Sequence, residues 1–418
     1  MQTPSQLPVI SVVISQHLEE AAFLWLLRDS AVNAPNYTLD ELASLDDRVE
    51  ANVDGVVIAG DAGVALCAEA LEEGEPGEVF AAAAVALRTG NGKLLEQAVE
   101  VAQQSEENRR ALISAAGWVD ANSFQSFSAL LLQSSSTLYQ YMGIGGYAVQ
   151  RIDPGERLTQ FLVSDNPVLR ARALKAAGEL QRKDLLPALR NVKADDDPAV
   201  CFWAVWSGAM LGDTNARKNL RAFVAHPAFR RRALAIYLRV CSAQEAQSMI
   251  RGLASDEQTA RLAFMGSGIV GDPFYIPGLI ARMDVPSAAR VAGEAFSMIT
   301  GVDLAYDDLD LDEPLAEMGP TDDPEDENVE MDEDEDLPWP DKALVNEWWQ
   351  KNQGRFQPGT RYLLGQPITA KNCQRVLREG YQLQRIAAAL ELALMNLDEP
   401  LFEWRAPGFR QQKLLALK

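Results

Sequence analysis

Five stretches of this chain, starting at Pro167, Pro198, Pro227, Asp256 and Val285, align on one another at a step of about thirty residues. Each carries an alanine in the same column, Ala173, Ala204, Ala233, Ala263 and Ala292, at steps of 31, 29, 30 and 29. Seven residues later an aliphatic residue recurs as Leu180, Leu211, Val240, Val270 and Ile299; seven residues is two helical turns, so both columns share one helix face. A third column, Leu189, Leu220, Met249 and Leu279, lies sixteen residues past the alanine and belongs to a second helix. The repeating unit is a helical hairpin, which can bury its apolar faces only on its neighbours in the stack. The expected fold is all-α, an α-solenoid of about eight hairpins, the first three degenerate.

The bulk numbers fit that reading. With 418 residues, 47% hydrophobic and 7% aromatic, the chain can bury a large core without disulfides or metal, and its small apolar side chains suit close helix packing. Cys67, Cys201, Cys241 and Cys373 are far apart and lack zinc-like spacing, so they read as small apolar residues in a reducing compartment. Residues 1–7 carry no basic run and the apolar stretch 8–14 is soon followed by His17, Glu19 and Glu20, which argues against a secretory signal or a membrane span. A cytoplasmic location is the expectation. The net charge of -22 is concentrated: residues 303–341 hold 19 Asp or Glu and no Lys or Arg. An acidic surface repels phosphate and forgoes counterion release, so nucleic-acid binding by the bulk protein is disfavoured.

Four segments follow. Residues 1–62 read as an N-terminal helical cap, its second helix opened by a capping box of Thr38 and Glu41. Residues 63–302 read as the repeats. The stretch Arg110–Gly117 recurs at Arg172–Gly178 about two repeat steps later, and 80–87 supplies an alanine-rich helix one step upstream of Arg110. Asp197-Pro198 and His226-Pro227 place proline at first helical positions, while Gly212-Asp213 and Gly271-Asp272 mark turns between helices. Residues 303–340 contain few large apolar groups and are expected to be an acidic flexible segment, because the surface they bury cannot offset their ordering entropy. Residues 341–418 read as a C-terminal helical unit: a helix with Trp348 and Trp349, a short strand at 361–364, a helix capped by Thr369, and a long apolar-faced helix over 382–397.

No catalytic constellation emerges, and no cofactor or metal is expected. His17 and His226 are distant in sequence, and His226 precedes a proline where a turn role suffices. Gly90-Asn91-Gly92-Lys93 lacks both the upstream glycine and the hydroxyl residue of a phosphate loop. Gly143, Gly145 and Gly146 fit close helix packing better than a phosphate-contacting loop, and Gly266-Ser267-Gly268 lies inside a repeat helix. Acids 332–336 lack the glycine turn of a calcium loop.

The candidate partner-binding residues are arginines. Arg231, Arg261 and Arg290 occupy one repeat column two residues before the alanine, flanked by Arg230 and Arg232, with Arg170 and Arg172 nearby in the stack. Such a ladder binds carboxylates or phosphates, and the chain's own acidic segment is a competitor for it. The bland alternative is exposed helix charge. Trp348 and Trp349, with Trp404, are candidate anchors for a partner, although tryptophans in such helices more often belong to the core.

The wording of the repeats, as in Asp197-Pro198-Ala199-Val200 or Gly271-Asp272-Pro273-Phe274, resembles the short HEAT repeats of bilin lyases over roughly residues 64–302. Three further stretches, Ile14–Leu27, Arg355–Arg385 and Leu401–Gln411, are similar to a proteobacterial family of HEAT-like proteins encoded beside type VI secretion spike and effector genes. The resemblance implies a cytoplasmic, non-enzymatic scaffold that acts as adaptor or chaperone for a type VI effector or spike-associated protein, and it brings no catalytic residues with it. Two alternatives stay open: an immunity protein that neutralises an effector, and an enzyme of the bilin-lyase kind.

Overall fold

The computed structural model describes residues 10–193, 196–316, 319 and 331–417. Its first helices are α1 (Ser11–Ala31), α2 (Leu39–Ile58), α3 (Asp61–Ala70), α4 (Pro76–Thr89), α5 (Gly92–Val101) and α6 (Glu106–Trp118). Next come α7 (Ala121–Gln133), α8 (Thr137–Gln150), α9 (Glu156–Phe161), α10 (Pro167–Glu179), α11 (Leu186–Arg190) and α12 (Pro198–Met210). The chain continues through α13 (Thr214–Phe223), α14 (Arg230–Val240), α15 (Ala243–Ala254), α16 (Glu257–Val270), α17 (Ile276–Ile280), α18 (Pro286–Thr300) and α19 (Lys342–Asn352). A two-residue hairpin, β1 (Tyr362–Leu363) with β2 (Gln366–Pro367), then precedes α20 (Ala370–Glu379), α21 (Gln382–Met395) and α22 (Gly408–Leu414). The fold is all-α, as the repeat columns require.

Two compact units divide the chain: residues 1–33, 37–211 and 397–418, and residues 34–36 with 212–396. In the first, α4, α6, α8, α10 and α12 pack each on the next, and α3, α5, α7, α9 and α11 each lie against the helix that follows. Helix starts obey local chemistry: the Thr38 capping box opens α2, Asn91 accepts from the Leu94 amide, and Asp197 accepts from the Ala199 and Val200 amides with Pro198 at the first helical position. Gly90-Asn91-Gly92 is therefore a helix-to-helix turn. Close approach explains the glycines of α8: a Cβ on Gly145 would sit 2.4 Å from Ile113 Cδ1, and one on Gly146 2.3 Å from Phe124 Cε2.

The last residues of this unit return to its first helices. Gly408 donates to Asp46 Oδ2 at 2.6 Å, while Arg28, buried beside Asp46, holds Asp46 Oδ1 at 2.9 Å and the Ala406 carbonyl at 2.9 Å. Gly408 lies so close that a Cβ would fall 2.5 Å from Ala43 Cα. Leu401 also donates to the Glu179 carbonyl at 2.9 Å, and Arg151 pairs with Glu403 at 3.0 Å.

In the second unit α14, α16 and α18 pack in succession, with α13, α15 and α17 each against the next of them. The alanine column is buried throughout, in the first unit at Ala173 and Ala204 and here at Ala233, Ala263 and Ala292. Met249 departs from its column: it is half-buried, and Ile250, one residue on, turns into the core instead. Pro227 also departs, standing in a turn ahead of α14. The β1–β2 hairpin caps helix ends. Tyr362 donates to the Gly271 carbonyl at 2.8 Å, and Leu364 and Gly365 donate to the Met298 and Ile299 carbonyls at 2.9 and 3.0 Å. Gly271, at φ 74, ends α16 in the left-handed region, and a Cβ there would meet the Tyr362 carbonyl oxygen at 2.3 Å.

The segment 303–340, expected to be flexible from its composition, packs on this unit where it is described. Leu304 and Leu309 are buried, Leu311 donates to the Trp339 carbonyl at 2.7 Å, and Asp341 donates to the Leu309 carbonyl at 2.8 Å around the bridge Asp310–Pro340. Residues 317–318 and 320–330 lie outside the described residues. A few apolar anchors and two zipped strands of chain order the rest, which an average over composition conceals. The C-terminal unit expected over 341–418 is shared out: residues 341–396 belong to the second unit and 397–418 to the first.

Candidate partner-binding site

Repeat geometry brings Arg231, Arg261 and Arg290 together on α14, α16 and α18, each two residues before a buried alanine. What they face is the chain's own acidic segment. Arg231 Nη2 donates to Glu333 Oε2 at 2.8 Å, with both side chains more than half exposed. Arg261 presents its fork to both oxygens of Asp334, Nη2 to Oδ1 at 2.5 Å and Nη1 to Oδ2, and its Nε stands 3.2 Å from Glu333 Oε2. Arg290 is 5% exposed; it donates to Asp332 Oδ1 at 2.7 Å and to the Asp334 carbonyl at 2.8 Å. Its guanidinium also lies 4.5 Å from the centre of the Trp339 ring. Planar guanidinium forks suit carboxylates because two parallel charge-assisted bonds form at once.

The segment is shaped to fit. The Asp334 amide donates to Asp332 Oδ1 at 3.0 Å and the Leu337 amide to the Asp334 carbonyl at 2.8 Å, so the backbone turns and presents residues 332–334 to the arginines. Burial acts to raise the Asp332 carboxyl, but the Asp334 amide and Arg290 hold it below the ordinary carboxylate range. The hydrogen bonds from Arg261 to Asp334 raise the Arg261 guanidinium above its ordinary value, against partial burial.

Not every sequence candidate joins this cradle. Arg230 is half-buried and Arg232 exposed in the first turn of α14. Arg170 and Arg172 belong to the other unit and have their own partners. Arg170 pairs with Asp196 at 3.2 Å, and Arg172 gives both terminal nitrogens to Glu179 at 2.9 Å. Although burial opposes it, Arg172 and its cationic neighbours depress Glu179 to about 2. Trp348 and Trp349 line the core: Trp349 is 7% exposed and packs 5.5 Å from Phe356, and Trp348 meets the edge of Phe296 at 5.6 Å. Trp349 belongs to the core, while Trp348 is half-buried against it. Sequence reasoning missed Trp339, whose only signal was an aromatic residue between two prolines just after the acidic run.

The histidines are also placed structurally. His17 Nδ1 is 2.8 Å from Asn52 Oδ1, with its ring over Gly55, and His226 lies 4.6 Å from Phe229. Cys67 and Cys373 are buried, and Cys201 and Cys241 half-buried.

Residues 155–239 match the family model for HEAT repeats. That stretch is thus similar to HEAT repeats, and repeats of this kind commonly serve as protein-interaction scaffolds. A search of curated proteins finds no match to the chain. Among the described residues no single helix is long and apolar enough to cross a membrane.

Proposed function

We propose that this chain is a non-enzymatic binding scaffold, an adaptor or chaperone-like factor that grips a protein partner through its repeats. One observation carries the reading. Three successive repeat helices set an arginine at the same position, and together the three arginines hold an acidic peptide. The match to HEAT repeats supports a protein as the partner. The resemblance of Ile14–Leu27, Arg355–Arg385 and Leu401–Gln411 to proteins encoded beside type VI secretion genes supplies the class of partner: an effector or a spike-associated protein of that system.

The immunity reading, with the acidic segment as a nucleic-acid mimic, is less well supported. Asp332, Glu333 and Asp334 already face arginines of their own chain. The test is recovery of type VI effector and spike-associated proteins on the full-length chain, compared with an Arg231→Glu/Arg261→Glu variant. Recovery should fall with the reversed charges. Equal recovery on both would remove the arginines from the binding role, and recovery of neither class on the native chain would overturn the type VI assignment.

A further inference from the structure

We propose that the cradle of Arg231, Arg261 and Arg290 recognises a foreign acidic peptide carrying two aspartates two residues apart, and that Asp332–Glu333–Asp334 is its built-in competitor. The inference rests on the binding-scaffold reading above and names both the ligand class and its regulation.

Three features point this way. First, the cradle reads a peptide and its spacing as well as its charge. Arg290 binds the Asp332 side chain and the Asp334 backbone carbonyl together, while the Arg261 fork takes the Asp334 side chain. A free phosphate offers no such carbonyl at a fixed distance from two carboxylates. Second, the resident segment leaves capacity unused: among the described residues Arg290 Nε is buried without a hydrogen-bond partner, on a side chain that is only 5% exposed. An unmet donor in such a place is costly, so a ligand with one more acceptor would fit better than the resident. Third, the contact has an exposed edge. The Arg231–Glu333 pair is 56% and 61% exposed, and pairs that open to solvent contribute little, so a competitor can displace Glu333 first and then work inward to Asp334.

Tethering gives the resident segment an effective concentration of about millimolar order, so a foreign peptide binds with an apparent affinity lowered by the occupied fraction. Removing the resident charges should release that suppression. The carrying variant is Asp332→Asn/Glu333→Gln/Asp334→Asn, which preserves side-chain size.

Binding of a fluorescein-labelled peptide copying residues 331–337 would be followed by anisotropy on the full-length protein. The variant should bind at least about tenfold more tightly than the native chain. A permuted peptide of the same composition should bind far more weakly, inorganic phosphate at matched ionic strength should not displace the peptide, and adding Arg261→Ala should abolish binding. Equal affinity for the native chain and the variant, equal binding of the permuted peptide, displacement by phosphate, or persistence without Arg261 would each overturn the proposal. Should circular dichroism show that the triple variant has lost helix, Glu333→Gln alone, at an exposed position, serves as the second arm with a smaller gain of the same sign; no gain there overturns the proposal. No secretion protein enters this assay, so its failure and that of the pull-down are separately visible.

Discussion

Glu391 sits between two arginines in the second unit, and neutralising it isolates a buried charge. Its Oε1 is 3.2 Å from Arg239 Nε and 2.5 Å from Arg361 Nη2; the Glu391 and Arg239 side chains are 5% and 4% exposed, that of Arg361 31%. Burial pushes the Arg239 guanidinium below its ordinary value, and Glu391 is the chief influence opposing it. Glu391→Gln keeps the volume and removes the opposing charge. Deleting one partner of a buried pair costs about 3–5 kcal/mol. The lower end applies here, because Arg361 is partly solvated and keeps the Val270 carbonyl at 2.9 Å. A loss of about 3 kcal/mol in a unit of this size lowers its melting temperature by roughly 6–12 °C. Scanning calorimetry of the full chain at neutral pH measures it. Replacing Arg239 and Glu391 together by methionine should recover most of the loss, since apolar substitutes for a buried pair are often neutral or better. A melting temperature for Glu391→Gln within about 2 °C of the native value, under 1 kcal/mol, would refute the reasoning.

Two further perturbations test packing and protonation. Gly146→Ala places a methyl group 2.3 Å from the buried Phe124 ring and should cost about 1–3 kcal/mol, whereas Gly92→Ala, with nothing within 4 Å, should be close to neutral in the same urea titration; equal midpoints would contradict the packing account. Burial, reinforced by Asp303, pushes the Glu294 carboxyl from 4.5 up to about 8. The folded chain therefore keeps a proton that the unfolded chain releases, so this group's stabilisation is full below pH 4.5 and is lost as pH rises toward 8, at up to about 1.4 kcal/mol per pH unit. Glu294→Gln should flatten that slope in urea titrations between pH 5 and pH 8.5, and an unchanged slope would reject it.

Local periodicity made the repeats legible. Ala173, Ala204, Ala233, Ala263 and Ala292 are all buried because a helix face fixes burial wherever its neighbours repeat. The same periodicity exposed the arginine column and, through charge, its acidic competitor. Neighbourhood in the stack did not reveal what each arginine meets: Arg172 stands one residue off the ladder's column and is bound to Glu179. The packing of the described part of 303–340 was hidden because Leu304, Leu309 and Trp339 are too few to alter an average. Trp348 and Trp349 sit on a helix whose packing partner no local pattern names. The stretch Leu401–Gln411 stood out as a motif with no evident purpose; its Gly408 and Arg410 make sense only beside Asp46 and the Val119 carbonyl.

That return of residues 401–411 to α1 and α2 imposes an order of events. A ribosome delivers the chain from its beginning, and early domains generally fold while later ones are still being made. Here the first unit cannot do so fully. Until Gly408 emerges, Asp46 lacks one of the donors that justify its burial, and the whole of the second unit must be translated in the meantime. Nascent chains should wait half-closed with that carboxylate wet, and any lesion that clips the tail will be felt at the opposite end of the sequence.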